Sequence, residues 1–132
     1  SEFLGGAKSA YEMIFMAFER GDISDIRWLL SPEIEELFDA AIADRSEQGL
    51  SIDANFLGFR EIKIVDAVFE TSTKEAEVTM SFTCELTSVV KNAAGEIVEG
   101  DAKQAKKNKD VWTFARDFGS DDLNWKLVAT GE

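Results

Sequence analysis

The residues that could do chemistry are few, and the most suggestive are one tyrosine and the aspartates. The chain of 132 residues contains no histidine, which excludes Ser-His-Asp and Cys-His catalytic devices and imidazole metal ligands. Tyr11 is the only tyrosine. In a pocket with Asp66 or Asp117 it could transfer protons, provided that burial raised the pKa of the carboxyl group. The competing interpretation is a packed core ring with a hydrogen-bonded hydroxyl.

Other reactive groups are also scarce. Cys84, the single cysteine, falls on the apolar side of an alternating pattern and is expected to be an inert buried thiol. No glycine-rich phosphate loop and no calcium-loop pattern is present. We therefore predict no catalytic residue, no cofactor and no metal.

Two of the three tryptophans, Trp112 and Trp125, lie in the final stretch, DVWTFARDFGSDDLNWKLVATGE. A turn over Gly119–Asp122 predicts a hairpin whose apolar sets share one face. Its register sets three pairs opposite each other: Arg116 with Trp125, Phe114 with Leu127, and Trp112 with Ala129. The Arg116 guanidinium would then lie within about 6 Å of the Trp125 ring. The hairpin either closes the core, or one tryptophan lines a ligand cavity.

Five residues are candidates for a pocket or for the mouth of the fold: Trp28, Arg45, Trp112, Arg116 and Trp125. Arg45 extends the apolar stripe of a helix by one turn, so its stem should lie on apolar surface. Its head would reach water, cap helix-terminal carbonyls or pair with an anion. Met16, on the polar side of the first helix, is a candidate for partner contact.

The charge balance restricts the partners. Fourteen basic and 26 acidic residues give a net charge of −12, which argues against nucleic-acid binding and against general attraction to anionic lipid. One basic stretch, KQAKKNK, places Lys103, Lys106, Lys107 and Lys109 together. These lysines either protect an exposed edge or loop from mispairing, or form a face for weak contact with an anionic membrane or a partner.

Neither a membrane-spanning run nor a signal peptide is visible. The alternative that residues 1–3 include a cloning scar stays open. The length predicts one domain, residues 1–132.

The first half of the chain has helical periodicity. A helix from about Phe3 to Arg20 should end at Gly21, and Asp22 is expected to cap a short second helix. Ser31, followed by a proline and a glutamate, predicts the start of a third helix that fades by Gly49.

The second half follows the period of β-strands. Residues 77–87 alternate without an error, and NAAG at 92–95 predicts a hairpin loop. The next strand should run from Glu96 to about Lys103. A change of apolar parity near Val65 indicates a β-bulge, and bulges bend a strand. We predict an α+β fold with about four curved antiparallel strands packed on N-terminal helices.

The chain resembles the Tim forty-four-like domain, the C-terminal domain of the mitochondrial inner-membrane translocase scaffold subunit and of its alphaproteobacterial relatives. The resemblance covers nearly all of the chain. It rests mainly on GAK at 6–8, AF at 17–18, GD at 21–22, the spacing of Ile42, Arg45 and Gly49, DVWTF at 110–114, Arg116, and NW at 124–125. It implies a cone of curved sheet around a long helix, similar to nuclear transport factor two.

The resemblance also implies a function: a non-enzymatic scaffold or adaptor peripheral to an inner membrane, in protein translocation or membrane-protein assembly. Its partners would be inner-membrane proteins, with weak anionic-lipid contact as a further option. It would lie on the cytoplasmic face in a bacterium or the matrix face in a mitochondrion. The alternative is a small-molecule-binding or isomerase-like domain of the same fold. A filled cone favours the scaffold, whereas a cavity with a buried carboxylate favours the alternative.

Overall fold

Two α-helices precede a four-stranded antiparallel sheet with strand order β1-β2-β3-β4. The computed structural model describes residues 2–122 and 124–131, with only the backbone of Glu2. Ser1, part of the suspected cloning scar, lies outside the described residues. The elements are α1 (Glu2–Arg20), a 3-10 helix (Arg27–Leu29), α2 (Pro32–Glu47), β1 (Ser51–Glu70), β2 (Glu75–Lys91), β3 (Ile97–Asp117) and β4 (Lys126–Gly131). The predicted α+β class is confirmed.

Helix α1 supplies one wall of the core. Tyr11 and Ile14 are completely buried, and Ala17 is nearly so. The helix ends as predicted. Gly21 adopts the left-handed backbone conformation, with φ +79°, and its amide bonds the Phe18 carbonyl at 3.1 Å, an arrangement common at helix C-termini. None of the described helices has both the length and the apolar character needed to cross a bilayer.

The second predicted helix is only one 3-10 turn, and the expected cap by Asp22 is wrong. The turn has no side-chain cap, and Asp22 instead accepts hydrogen bonds from the backbone amide and hydroxyl of Ser24. The start of α2 is confirmed. Ser31 caps it by accepting from the Ile34 amide at 3.3 Å, with proline in the first turn.

Strand β2 is the centre of the sheet core. The predicted alternation is confirmed: Met80, Phe82 and Cys84 are fully buried, and Leu86 is 1% exposed. These side chains lie on the sheet face that α1 covers, where the Tyr11 ring stacks on Phe82 with centroids 4.4 Å apart. One row of β2 therefore determines which sheet face receives the helix.

Strand β1 is longer and more irregular than the sequence pattern indicates. It begins at Ser51, before the expected strand region. Its pairing with β2 slips at three places, one of which, between Ile64 and Asp66, is the predicted bulge at Val65. The other two lie between Phe56 and Gly58 and between Phe59 and Glu61. Because each slip exchanges the faces of the following side chains, a simple period of 2 cannot describe this strand.

The basic stretch does not end a strand as expected. β3 continues from Ile97 to Asp117, and its irregularity is a register shift that leaves residues 102–105 between two pairs, Ser88 with Asp101 and Leu86 with Lys106. The hairpin at 92–95 is confirmed, with Gly95 at φ +82°.

The final hairpin follows the predicted register only in part. Phe114 pairs with Leu127 as expected, but Trp112 pairs with Thr130 and not with Ala129. A shift between Thr113 and Phe114, which skips one residue of β4, accounts for the difference. The free side of β4 receives the chain before α2, because the Ser31 amide bonds the Leu127 carbonyl at 2.9 Å.

Candidate functional site

A cavity of about 430 Å³ opens between the N-terminal half of α1 and the end of the sheet. We call it the Arg116 cavity. It is lined by Phe3, Gly6, Ala7, Ala10, Trp28, Leu29, Phe114, Arg116, Asn124 and Trp125. Its volume lies in the range of about 300–1,000 Å³ that is usual for small-molecule sites.

The sequence places small residues on one wall of this cavity and aromatic rings on the others. Gly6, Ala7 and Ala10 lie on one side of α1, so the helix leaves open space there. Opposite them, the Trp125 ring packs edge-on against Phe3, with centroids 5.1 Å apart. The cavity therefore has mainly apolar walls, formed by small residues on the helix side and by aromatic rings opposite.

Arg116 is the cation of this cavity, but it does not lie where the hairpin register predicts. Its described cation–π contact is with Phe118, at 4.2 Å from the ring centroid, and not with Trp125. The Phe118 ring in turn lies edge-on to Trp125, 6.0 Å away. The Nε atom of Arg116 is buried and has no hydrogen-bond partner.

Three of the five predicted pocket residues meet in this cavity: Trp28, Arg116 and Trp125. Trp28 is 49% exposed, and its indole donates to the Asp25 carbonyl at 3.1 Å. Trp112 is instead a core residue, 5% exposed, that borders a second cavity of about 280 Å³. Arg45 lies elsewhere.

Arg45 holds the two long helices together. Its Nη1 donates to the carbonyls of Phe18 and Glu19, both at 3.0 Å, and its guanidinium lies over the Phe18 ring at 4.9 Å. The predicted option of capping terminal carbonyls is confirmed, although the carbonyls belong to α1 and not to its own helix. A cation at this end is favoured by the helix dipole.

A buried polar cluster surrounds the hydroxyl of Tyr11. The hydroxyl donates to Asp110 at 2.6 Å, Asn108 donates to the same carboxylate at 2.9 Å, and the Cys84 sulfur lies 3.8 Å away. Burial, and then the hydrogen bond to Asp110, raise the pKa of Tyr11 well above its ordinary value. Burial likewise raises the pKa of Cys84.

The expected carboxylate partners of Tyr11, Asp66 and Asp117, are wrong. Asp66 is exposed on β1, where it accepts from the Ala67 amide, and Asp117 accepts from the Gly119 amide. Asp110 shares its strand face with Trp112 and Phe114. Its even-numbered spacing to those aromatic residues is therefore the sequence signal that could have identified it.

The basic stretch is exposed on β3 but is divided between the two faces of the sheet. Lys107 and Lys109 are two residues apart and share one face, whereas Lys106 lies on the other. Burial raises the pKa of Glu19 in α1, and the charge of Lys106 opposes this rise. Lys103 falls in the irregular segment. Two of the four lysines therefore share a regular strand face.

Met16 is not on the exposed side of α1. It is half-buried and packs against the core, whereas Met13, three residues earlier, is 44% exposed. Helix α1 is buried over a wider arc than predicted, because Phe15 also faces the sheet, where it meets Phe56 of β1.

Among residues 2–122 and 124–131, no group of three His, Cys, Asp or Glu side chains could hold a metal ion. The described side chains offer a cation beside apolar walls in the Arg116 cavity and hydrogen bonding at Tyr11.

Comparison with known proteins identifies both a family and a fold. The family model described as Tim44-like domain matches residues 1–132. Among solved structures, the intermembrane space region of the chloroplast protein ARC6 is similar, with a TM-score of 0.57 and 14% sequence identity over 95% of this chain and 94% of that chain. At this identity the likeness shows the fold alone. No curated protein matches the chain.

Proposed function

The chain belongs to the Tim44-like domain family, and from this premise we propose that it is a non-enzymatic scaffold or adaptor domain. It works at the periphery of an inner membrane, where it holds proteins of the translocation or membrane-protein assembly machinery. It lies on the cytoplasmic face of the membrane in a bacterium or on the matrix face in a mitochondrion.

The close packing around the Tyr11 ring is the observation that carries this proposal. An enzyme of this shape needs an open pocket around its polar groups. Here Tyr11, Ile14, Met80 and Phe82 are all fully buried between α1 and the sheet. The Tyr11 ring lies between Phe15 and Phe82, with centroids 5.6 and 4.4 Å away. The Tyr11 hydroxyl is itself engaged by Asp110 at 2.6 Å, which supports binding as the role of the domain.

Exposed apolar residues supply a surface for that role. We call them the distal patch: Ile64, Val65, Val68, Phe69 and Phe118, each between 46% and 58% exposed. Phe69 and Phe118 pack edge-on with centroids 6.1 Å apart, so the aromatic part is continuous. Val68 lies on the other sheet face, beside Glu70, Glu75 and Glu77, so the distal patch occupies both faces of one end of the sheet. Exposed apolar side chains grouped in this way mark sites of protein or membrane contact.

The net charge of −12 fits a protein partner better than a lipid one. Anionic lipid headgroups repel such a domain, whereas the cytoplasmic or matrix loops of membrane proteins carry an excess of Lys and Arg. Glu70, Glu75 and Glu77 border the strand ends beside the distal patch. An apolar contact flanked by acidic residues would suit a basic loop of an integral membrane protein.

Photocrosslinking tests the protein partner. A photoreactive amino acid at Val68 should crosslink to integral proteins of inner-membrane vesicles, and about 1 M salt should weaken this by screening the acidic flank. Leu37 is the matched control, since this α2 side chain is 62% exposed and apolar but lies outside the patch. Equal crosslinking from both positions, or none from Val68, would remove the distal patch from the proposal.

Vesicle co-sedimentation tests the weaker option of lipid contact. The four lysines of the basic stretch are changed to serine, and wild type and variant are compared on cardiolipin-containing vesicles at low and physiological salt. Each lysine near an anionic surface contributes about 1 kcal/mol, so the variant should pellet less at low salt. If both proteins pellet equally, protein docking is the remaining role.

The alternative, an isomerase-like enzyme, has one observation in its favour: Asp110 and Asn108 border the second cavity and also bind the Tyr11 hydroxyl. A turnover screen on ketone and hydroxy-acid substrates, with Tyr11→Phe and Asp110→Asn as paired variants, decides it. Turnover that both variants abolish would replace the scaffold proposal.

A further inference from the structure

We propose that the Arg116 cavity binds a small monocarboxylate with an apolar body. This inference goes beyond the docking role and does not rest on it, because the cavity and the distal patch are lined by different residues apart from the shared neighbour Phe118. The site is a binding site and includes no chemical step.

The first support is a cation without an acceptor. No carboxylate is among the described residues that line the cavity, and within the described part of the chain the guanidinium of Arg116 forms no ion pair or hydrogen bond. Its buried Nε is unpaired, a state that is rare for buried polar atoms. A carboxylate would accept two parallel hydrogen bonds from Nη1 and Nη2, which are not enclosed as Nε is.

The neighbouring acid, Asp122, is already engaged. It accepts from the backbone and side-chain amides of Asn124, both at 3.0 Å, and lies 3.8 Å from the ammonium of Lys126. The hydrogen bonds from Asn124 lower the pKa of Asp122, and the nearby charges of Lys126 and Arg116 lower it further, but no hydrogen bond or ion pair joins Asp122 to the described Arg116 side chain. Arg116 is therefore free to pair with an incoming anion.

The second support is the apolar wall. Trp28, Trp125 and Phe114 present rings, while Gly6 and Ala10 leave room on the helix side. The guanidinium carbon of Arg116 lies 4.2 Å from the centroid of the Phe118 ring, a contact that positions the cation before a ligand arrives. Rings beside a fixed cation suit a ligand with one anionic end and an apolar remainder.

The charge of the whole protein selects the kind of anion. With a net charge of −12, the surrounding field opposes every anion, and a phosphate of about two negative charges meets roughly twice the repulsion that a carboxylate meets. One arginine can neutralise one carboxylate. We therefore infer a monocarboxylate in preference to a phosphorylated ligand.

Calorimetric titration of the protein with 2-naphthoate and with decanoate tests the proposal, and the two probes distinguish an aromatic from an aliphatic body. At least one should bind. The neutral amide of the bound probe should bind at least about tenfold more weakly, since it cannot form the charged pair. In ¹⁵N spectra the indole signals of Trp28 and Trp125 should shift on binding.

Two glycines provide a matched pair of variants. Gly6→Leu projects a side chain into the cavity and should weaken binding at least about tenfold. Gly5→Leu makes the same change one residue earlier, outside the cavity lining, and should bind like wild type. Both glycines have no atom within 4 Å of an added Cβ, and leucine is the better helix former, so both variants should fold.

Arg116→Gln should lower the affinity for the carboxylate to that of the amide. The proposal is overturned if neither probe binds, if the amide binds as tightly as the acid, or if Gly5→Leu and Gly6→Leu lose affinity equally. Should Arg116→Gln fail to fold, the amide comparison and the glycine pair still decide. Crosslinking from Val68 is independent of all three outcomes.

Discussion

Replacing Tyr11 with phenylalanine should destabilise the fold, chiefly through the loss of the hydrogen bond to Asp110. The hydroxyl donates to the Asp110 carboxylate at 2.6 Å, a distance typical of charge-assisted O–H···O bonds. Such bonds contribute about 1.5–3 kcal/mol. Asp110 is only partly buried and keeps its bond from Asn108 at 2.9 Å, so we expect the lower end, about 1.5–2 kcal/mol.

Urea and thermal unfolding measure this loss. For 132 residues with the usual unfolding entropy, the melting temperature should fall by about 5–7 °C. Asp110→Asn and the double variant complete a mutant cycle, in which the Tyr11–Asp110 coupling should be about 1 kcal/mol or more. A Tyr11→Phe variant within about 0.5 kcal/mol of wild type would refute the hydrogen-bond argument.

The same tyrosine predicts a pH dependence with a definite sign. Because the folded pKa of Tyr11 is raised, first by burial, the neutral form is favoured in the native state. Its contribution is therefore complete below the unfolded pKa of about 10 and is lost as the pH rises above it, by up to about 1.4 kcal/mol per pH unit. Tyr11→Phe should lack this component. As Tyr11 is the only tyrosine, tyrosinate absorbance near pH 11 should appear only when the protein unfolds.

Two further predictions concern local structure. Arg45→Gln removes the cap on the carbonyls at the end of α1 and should lower the free energy of unfolding in urea by about 1–2 kcal/mol. The control Arg20→Gln, an exposed change in the last turn of α1, should lower it by less than about 0.5 kcal/mol. Equal losses would contradict the capping role. Gly100→Ala puts a Cβ onto the Ser88 carbonyl at φ +88° and should cost about 3 kcal/mol or more, whereas Gly58→Ala, at φ +151° in open space, should cost about 1–2 kcal/mol of backbone strain alone. Equal thermal shifts for the two alanine variants would show that the close approach does not matter.

Features that depend on neighbours along the chain can be predicted from the amino-acid sequence alone. The end of α1 at Gly21, the cap of α2 at Ser31 and the buried row of β2 each follow from residues within a few positions of one another. The Tim44-like resemblance adds the family, which the match to residues 1–132 supports. None of these features requires knowledge of which distant strand lies alongside.

The sequence predicts which residues belong to the candidate site but not how they contact one another. Trp28, Arg116 and Trp125 are predicted pocket residues, and they do line one cavity. Their contacts do not follow from the pattern, since Arg116 turns to Phe118. Trp112 belongs to the same predicted set because it shares the strand face of Arg116, but parity gives the face of a strand and not the distance along it.

The tertiary structure alone decided the long-range pairs. Asp110 meets Tyr11 across 99 positions, and Arg45 caps a helix that ends 25 residues before it. The skipped residue in β4 moved Trp112 from Ala129 to Thr130. The hydrophobic period of the sequence does not reveal a one-residue slip, although such a slip exchanges the faces and partners of every residue beyond it. The sequence thus determined the elements and their apolar faces, while bulges and helix docking, which depend on the packing of the whole chain, determined which side chains meet.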